Sequence, residues 1–137
     1  MQYNLFGGTI ANLGSDKQRK WLEEVFSKGE LGCFLLTESG AGVLSGLIVE
    51  TTCTWNGSTF DLHSPEPLKS SRKCWISQGL TATWGAVIAR LILQNGEDKG
   101  PHAFIVPMNA AGVIREDMDR KTDFNSLDNG KRLTFFT

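Results

Sequence analysis

Residues 49–62, VETTCTWNGSTFDL, carry the local pattern that decides the fold class of this chain. Runs rich in threonine, valine and aromatic side chains flank Asn56 and Gly57, two residues that tolerate positive φ. The pattern predicts two antiparallel strands joined by a two-residue type I′ turn. In that register Cys53 lies opposite Phe60. The hairpin therefore indicates a domain built largely of β-structure.

Further short strands are predicted along the rest of the chain, from Gly32 onward. Residues 82–93 suit either a buried helix or a strand covered on both faces, and their β-branched side chains favour the strand. Three more strands are predicted at His102 to Met108, Val113 to Arg115 and Leu133 to Phe136, with an exposed loop over residues 95–101. Many short strands separated by turns predict a mainly β fold, an antiparallel barrel or sandwich.

A helix is predicted ahead of these strands, over residues 15–29. Ser15 followed by Gln18 forms a capping box, in which each side chain satisfies a free backbone N–H at the helix start. Apolar side chains recur at helical spacing, and Gly29 supplies the positive φ that ends the helix. Residues 5–13 are a second, weaker helical prediction because glycines interrupt them. One or two short helices therefore precede the β-structure.

Composition excludes several classes of function. The 137 residues form one domain, and a net charge of −1 provides no cationic surface for nucleic acid. No stretch is apolar enough to span a membrane, and the N-terminus does not resemble a signal peptide. The three cysteines and two histidines are widely separated in sequence, which predicts no metal site, no disulfide and an intracellular location. These residues are Cys33, Cys53, Cys74, His63 and His102.

Two stretches, 37–42 and 73–79, each place a hydroxyl beside glycine or an aromatic ring. Thr37 precedes two glycines, which allow a ligand to approach the backbone closely. Strand alternation from residue 73 would put Trp75 and Ser77 on one face. Together the stretches suit a flat ring with a polar edge, such as a flavin. The alternatives are an ordinary strand-to-turn transition at Thr37 and, at Trp75, a tryptophan of the core or of the barrel mouth whose indole N–H is hydrogen-bonded.

No catalytic set is evident elsewhere in the sequence. Glu38 is interpreted as a loop residue or ion-pair partner rather than as a base. The basic residues 69–73 are interpreted as a solvated loop, or as a contact for a phosphorylated ligand. The residues alone therefore predict a strand-rich domain with a candidate rim for a ligand.

Several runs carry a resemblance that spans the chain in order. They are residues 31–38, 50–52, 60–65, 73–76, 102–107 and 127–130. These runs resemble the central region of the acyl-CoA oxidases, which are oxidoreductases. The related acyl-CoA dehydrogenases share the Thr-Glu-x-Gly-Ala-Gly element of residues 37–42 and the Trp-Ile-Ser element of residues 75–77.

This resemblance implies a domain organisation and a reaction. Residues 1–30 would be the end of an N-terminal helical domain. Residues 31–137 would be an FAD-binding middle β-barrel domain, with the C-terminal helical domain absent. The family converts a fatty acyl-CoA and O₂ to trans-2-enoyl-CoA and H₂O₂ in fatty acid β-oxidation, so the implied partners are acyl-CoA and the missing helical domains. The resemblance also implies a homodimer and a peroxisomal location, although residues 134–137 are not a peroxisomal address.

The resemblance assigns cofactor roles to three residues. Thr37 would bond the pyrimidine edge of the flavin, Trp75 would lie along the ring system, and Ser77 would bond near N5. The catalytic glutamate of the family belongs to the C-terminal helical domain, so no catalytic residue is expected in this chain. Val43 stands where the family carries a hydroxyl in the substrate-binding region. That change is the basis of an alternative prediction, a catalytically inactive pseudoenzyme or interaction module.

Overall fold

The secondary structure consists of a short helical segment followed by two β-sheets. The structure, a computed structural model, describes residues 2–41, 46, 49–64 and 72–117, and the backbone of 131–135. Within these residues the strands are β1 (Gly32–Leu35), β2 (Thr52–Trp55), β3 (Phe60–His63), β4 (Lys73–Cys74), β5 (Trp84–Ile92), β6 (Asp98–Pro107), β7 (Val113–Asp117) and β8 (Lys131–Phe135).

The helical segment begins with a π-helical stretch, Gln2–Gly7, and continues in α1 (Gly8–Leu13) and α2 (Asp16–Ser27). The predicted capping box of α2 is confirmed. The Gln18 backbone N–H donates to Ser15 Oγ at 3.4 Å, and the Ser15 N–H donates to Gln18 Oε1 at 2.7 Å. Gly29 has a φ of 69°, as expected for the residue that ends the helix.

The larger sheet is organised around β5, which confirms the strand predicted over residues 82–93. Strands β1 and β2 both pair with β5 in parallel, β1 with its first half and β2 with its second half. Strand β6 pairs with β5 in antiparallel orientation, and β3 pairs with β2. The prediction of a wholly antiparallel sheet is therefore wrong. Parallel strands need long connections, so local sequence cannot indicate their pairing.

The register of the predicted hairpin is wrong by two residues. Cys53 pairs with Leu62 rather than with Phe60. The loop contains four residues, 56–59, because the Asn56 side chain bonds within it. Asn56 Oδ1 accepts the N–H of Thr59 at 2.9 Å, and the Asn56 N–H donates to the Thr59 carbonyl at 3.1 Å. A shift by two residues still preserves which side chains face the core.

The smaller sheet has the order β4-β8-β7, and both of its pairings are antiparallel. The mainly β class is thus confirmed, but the described strands form two separate sheets and not the closed barrel that was expected. The predicted strands at residues 102–108, 113–115 and 133–136 correspond to β6, β7 and β8. Strand β6 begins earlier than predicted, at Asp98, so the exposed loop is shorter. The turn predicted at residues 128–130 lies outside the described residues.

Two apolar clusters form the core. The first joins the helices to the larger sheet and contains Phe6, Ile10, Leu22, Val25 and Ala86. The second contains Cys33, Leu35, Ile76, Ala82, Val87 and Met108. Ile76 belongs to the second cluster, so the segment after β4 is anchored to β1 and β5. This contact positions the candidate site.

Candidate functional site

The structure brings the two candidate stretches together. The backbone N–H of Cys74 donates to the Thr37 carbonyl at 2.9 Å, and Glu38 forms an isolated antiparallel bridge with Lys73. Thr37, which follows β1, therefore lies one hydrogen bond away from the strand that leads to Trp75. These two backbone contacts bring together the two stretches that the sequence selected as one rim, and we call this region the Thr37–Trp75 edge.

A buried ion pair lies directly beneath this contact. Lys73 Nζ is 2.6 Å from Glu38 Oε1, and the side chains of both residues are 0% exposed. Lys73 Nζ also donates to the carbonyls of Leu36 at 3.2 Å and Ile88 at 2.7 Å, so all three of its hydrogens have acceptors. The interpretation of residues 69–73 as a solvated loop is wrong at Lys73, and residues 69–71 lie outside the described part.

The environment of Lys73 changes its protonation. Burial lowers the pKa of Lys73 from 10.5 to about 8, and the negative charge of Glu38, with its hydrogen bond, opposes that change. The desolvation effect is the larger of the two. Lys73 therefore loses its proton at a lower pH than a lysine in water.

The Glu38 carboxylate is fully engaged by the protein. Besides Lys73, it accepts the N–H of Glu50 at 2.5 Å, the N–H of Thr51 at 3.2 Å and the Thr51 hydroxyl at 2.5 Å. Residues 50 and 51 lead into β2, so this carboxylate connects three segments of the chain. The interpretation of Glu38 as an ion-pair partner is confirmed. A carboxylate that is buried and saturated with hydrogen bonds is unsuited to act as a base.

The backbone after β4 differs from the predicted strand. Strand β4 ends at Cys74, and Trp75 has a φ of 56°. Gln78 has a φ of 64°, and its carbonyl accepts the N–H of Ala82 at 2.8 Å in a turn. The prediction that Trp75 and Ser77 alternate along a strand is therefore wrong. Positive φ is costly for residues other than glycine, and such residues concentrate at functional sites.

The side chains at this edge are accessible to different extents. Thr37 is exposed, Trp75 is 45% exposed, and Ser77 is partly buried. The Gln78 Oε1 atom is buried and has no hydrogen-bond partner in the structure. Sequence reasoning missed Gln78, and nothing in its local pattern distinguishes it. Val43 lies outside the described residues.

A separate cavity of about 720 Å³ lies between β3, β6 and the turn that follows β6. Phe60 and Phe104 contribute to its wall, with their ring centroids 5.6 Å apart, and Trp55 packs against Phe60 at 4.7 Å. Phe60 is 55% exposed. The wall is mainly apolar, and neither Thr37 nor Trp75 lines it.

Two negative findings apply to the described part of the chain. No three side chains among its histidines, cysteines, aspartates and glutamates are grouped so that they could hold a metal ion. None of its helices combines the length and the apolar character that crossing a membrane requires.

Comparison with known proteins identifies the relatives of the chain. An acyl-coenzyme A oxidase-like protein of Mus musculus is 35% identical over 92% of this chain, and acyl-coenzyme A oxidase 2, peroxisomal, of Arabidopsis thaliana is 33% identical over 95%. This chain is a relative of one segment of the acyl-CoA oxidases. It spans 21% of the length of each of these two proteins. No protein-family model matches it.

Solved structures of acyl-CoA oxidases show the same fold over this segment. Acyl-coA oxidase1 of Yarrowia lipolytica superposes with a TM-score of 0.85 at 29% identity, covering 98% of this chain and 21% of the oxidase. Acyl-CoA oxidase-2 of Caenorhabditis elegans, bound with FAD, ascaroside-CoA and ATP, superposes with a TM-score of 0.82 at 30% identity. It covers 96% of this chain, and the chain covers 21% of it.

Proposed function

We propose that this chain forms part of the FAD site of an acyl-CoA oxidase. The observation that carries the proposal is the contact between the two stretches, which places Thr37 beside the strand leading to Trp75. The acyl-CoA oxidase-2 of Caenorhabditis elegans is bound with FAD and has the same fold over this segment, which supports the choice of cofactor.

The residues at this edge fit a flavin. Trp75 offers an exposed indole face, and an aromatic face packs favourably along a planar ring. Thr37 is an exposed hydroxyl that can bond a heteroatom at the edge of the ring. Gln78 contributes a buried amide oxygen with no partner, which could accept a hydrogen bond from a bound molecule. The edge therefore supplies a stacking surface and polar groups together.

In this role the chain binds and orients the cofactor. Thr37 holds the pyrimidine edge, Trp75 flanks the ring and Ser77 bonds near N5. When bound, FAD would accept the hydride removed from the acyl-CoA and pass its electrons to O₂. The base that removes the α-proton would come from a C-terminal helical domain outside this chain, so this chain holds the cofactor and the other domain supplies the catalytic group.

The remaining features of the whole protein are proposals of the same kind. Residues 1–30 would complete an N-terminal helical domain, and residues 31–137 would be the middle domain. The complete protein would act on fatty acyl-CoA as a homodimer in the peroxisome. The names of three relatives, from Arabidopsis thaliana, Homo sapiens and Rattus norvegicus, include the word peroxisomal.

A segment replacement tests this proposal. This chain would replace the corresponding segment of Yarrowia lipolytica acyl-coA oxidase1, the oxidase with which it superposes at a TM-score of 0.85. The purified chimera should retain FAD, seen as its visible absorbance, and should release peroxide when acyl-CoA is added. A folded chimera without flavin would contradict the proposal.

Variants of the chimera test the individual roles. Thr37→Val should weaken FAD binding roughly three- to tenfold, the usual effect of losing one hydrogen bond. Thr83→Val is the matched control, because Thr83 is also exposed but lies outside both candidate stretches, directly before β5. An equal loss in both variants would contradict the role of Thr37. Val43→Ser should improve turnover without changing FAD content if Val43 limits the positioning of acyl-CoA.

A further inference from the structure

We propose that the buried Glu38–Lys73 ion pair is a positioning element that fixes Thr37 and Trp75 relative to each other for flavin binding. This inference rests on the proposed function and assigns roles to two residues that do not themselves touch the flavin. Glu38 directly follows Thr37, and Lys73 lies two residues before Trp75. A displacement of either charged side chain is therefore transmitted to a flavin contact through very few bonds.

The ion pair joins segments that are distant in sequence. Lys73 reaches the carbonyls of Leu36, just after β1, and of Ile88 in β5. Glu38 reaches the backbone N–H groups of Glu50 and Thr51, just before β2. Each of these bonds has a direction, whereas an apolar contact tolerates sliding. The pair therefore fixes how the loop after β1 and strand β4 sit against the larger sheet.

Stability alone does not explain a pair at this position. Removing two charges from water is costly, and a well-packed apolar pair of similar volume is often as stable as a buried ion pair. Both side chains here are 0% exposed, so both charges lose all of their contact with water and the desolvation cost is not reduced by exposure. A role in fixing geometry accounts for the pair, as it does for buried polar groups that specify register in other folds.

The backbone of Trp75 depends on such a constraint. Its φ of 56° is unfavourable for a residue with a side chain, so the surrounding structure must enforce it. Lys73 fixes the chain on one side, and Ile76 fixes it on the other, since Ile76 is only 2% exposed within the second core cluster. Without the ion pair, Ile76, the Cys74 hydrogen bond to Thr37 and the pairing of β4 with β8 would remain, but the bond from Lys73 to Ile88 in β5 would be lost.

The first experiment measures the environment of Trp75 without any flavin. The isolated chain is labelled with 5-fluorotryptophan, and the ¹⁹F resonance of Trp75 is assigned by its loss in Trp75→Phe. The double variant Glu38→Gln/Lys73→Met replaces the pair without leaving an uncompensated charge. Its Trp75 resonance should shift or broaden, while the other three tryptophan resonances stay in place.

A matched control uses the ion pair between Arg90 and Asp98, which joins β5 to β6 near the surface. The double variant Arg90→Met/Asp98→Asn should leave the Trp75 resonance unchanged. If the Glu38→Gln/Lys73→Met protein does not fold, Glu38→Asp keeps the charge and shortens the side chain by one carbon. An unchanged Trp75 resonance in whichever of these Glu38 variants is folded would overturn the inference.

The second experiment measures flavin binding in the segment-replacement chimera. Glu38→Gln/Lys73→Met should lower FAD affinity roughly tenfold or more and alter the visible spectrum of the flavin that remains. If the unmodified chimera retains FAD and the folded variant binds it equally with the same spectrum, the inference fails while the proposed function stands. If the unmodified chimera contains no FAD, the proposed function fails, and this inference fails with it.

Discussion

Lys73 and the thiols of Cys33 and Cys53 titrate in the same alkaline range with opposite effects on stability. Burial lowers the pKa of Lys73 from 10.5 to about 8. Burial raises the pKa of Cys33 from 9.0 to about 12. Burial and the negative charge of Asp61 raise the pKa of Cys53 from 9.0 to about 11. The pH dependence of unfolding therefore reports on all three buried groups.

The sign of each effect follows from proton linkage. Between pH 8 and 10.5 the unfolded chain holds a proton on Lys73 that the folded chain has lost, so the free energy of unfolding rises with pH. Above pH 9 the folded chain keeps the protons of Cys33 and Cys53 that the unfolded chain loses, so the free energy of unfolding falls. The two opposing effects together predict that the free energy of unfolding is greatest close to pH 9.

The free energy of unfolding changes by about 1.4 kcal/mol per pH unit for each proton by which the folded and unfolded chains differ. For the unmodified chain, the free energy of unfolding should rise by less than about 1 kcal/mol from pH 7 to 9 and fall by about 1 kcal/mol from pH 9 to 10. Two double variants separate the contributions. Between pH 7 and 10 the free energy of unfolding of Cys33→Ala/Cys53→Ala should rise by roughly 2 to 3 kcal/mol, and that of Glu38→Gln/Lys73→Met should fall by about 3 kcal/mol.

Urea unfolding followed by tryptophan fluorescence at half-unit pH steps measures these curves under a reducing agent. Comparing each variant with itself across pH removes the constant cost of the substitution. Parallel curves for the unmodified chain and Glu38→Gln/Lys73→Met would refute the reasoning about Lys73. A cysteine variant whose stability still falls above pH 9 would refute the reasoning about the thiols.

Two substitutions test the contact between the helices and the larger sheet. Gly32→Ala should cost roughly 2 to 3 kcal/mol in urea unfolding, because the added Cβ would lie 2.1 Å from the buried ring of Phe6. Gly8→Ala is its control, since the nearest atom to its Cβ is 3.7 Å away, and an equal cost in both would contradict the argument. Trp84→Phe should cost about 1 to 2 kcal/mol, because the indole N–H donates to Glu30 Oε2 at 2.6 Å. Adding Glu30→Gln to the Trp84→Phe variant should lower the free energy of unfolding little further, because the hydrogen bond is already lost. If the losses of the two single variants add up in the double variant, the assignment of that hydrogen bond is contradicted.

Elements with strong local signals were predicted from the sequence. The capping box at Ser15 and the positive φ at Gly29 define helix α2, and the β-branched residues of β5 identified that strand. These features depend on neighbours within a few positions, so a single sequence contains them. The family resemblance, also predicted from short runs, is confirmed by relatives covering more than nine-tenths of the chain.

The features that sequence did not predict depend on distant contacts or on side-chain competition. The parallel pairing of β1 and β2 with β5 arises from tertiary packing. The hairpin register depends on where the Asn56 side chain bonds. At the candidate site, the sequence pattern places Lys73 in a charged loop, because its partner Glu38 lies 35 positions away. The positive φ of Trp75 has no sequence signal, because glycine is the residue that normally marks it.

The position of β5 has a consequence for synthesis of the chain. Strands β1 and β2 both pair with β5, yet β1 emerges from the ribosome about fifty residues before its partner and β2 about forty residues before. Neither pairing can form until the whole intervening chain and β5 have been synthesised. Strands β5 and β6 are adjacent in sequence and pair along nearly their whole length. We expect this pair to form first and to act as the template on which the earlier strands assemble. Until β5 emerges, β1 and one edge of β2 lack their partner strand, and this is the interval in which a chaperone would protect the nascent chain best.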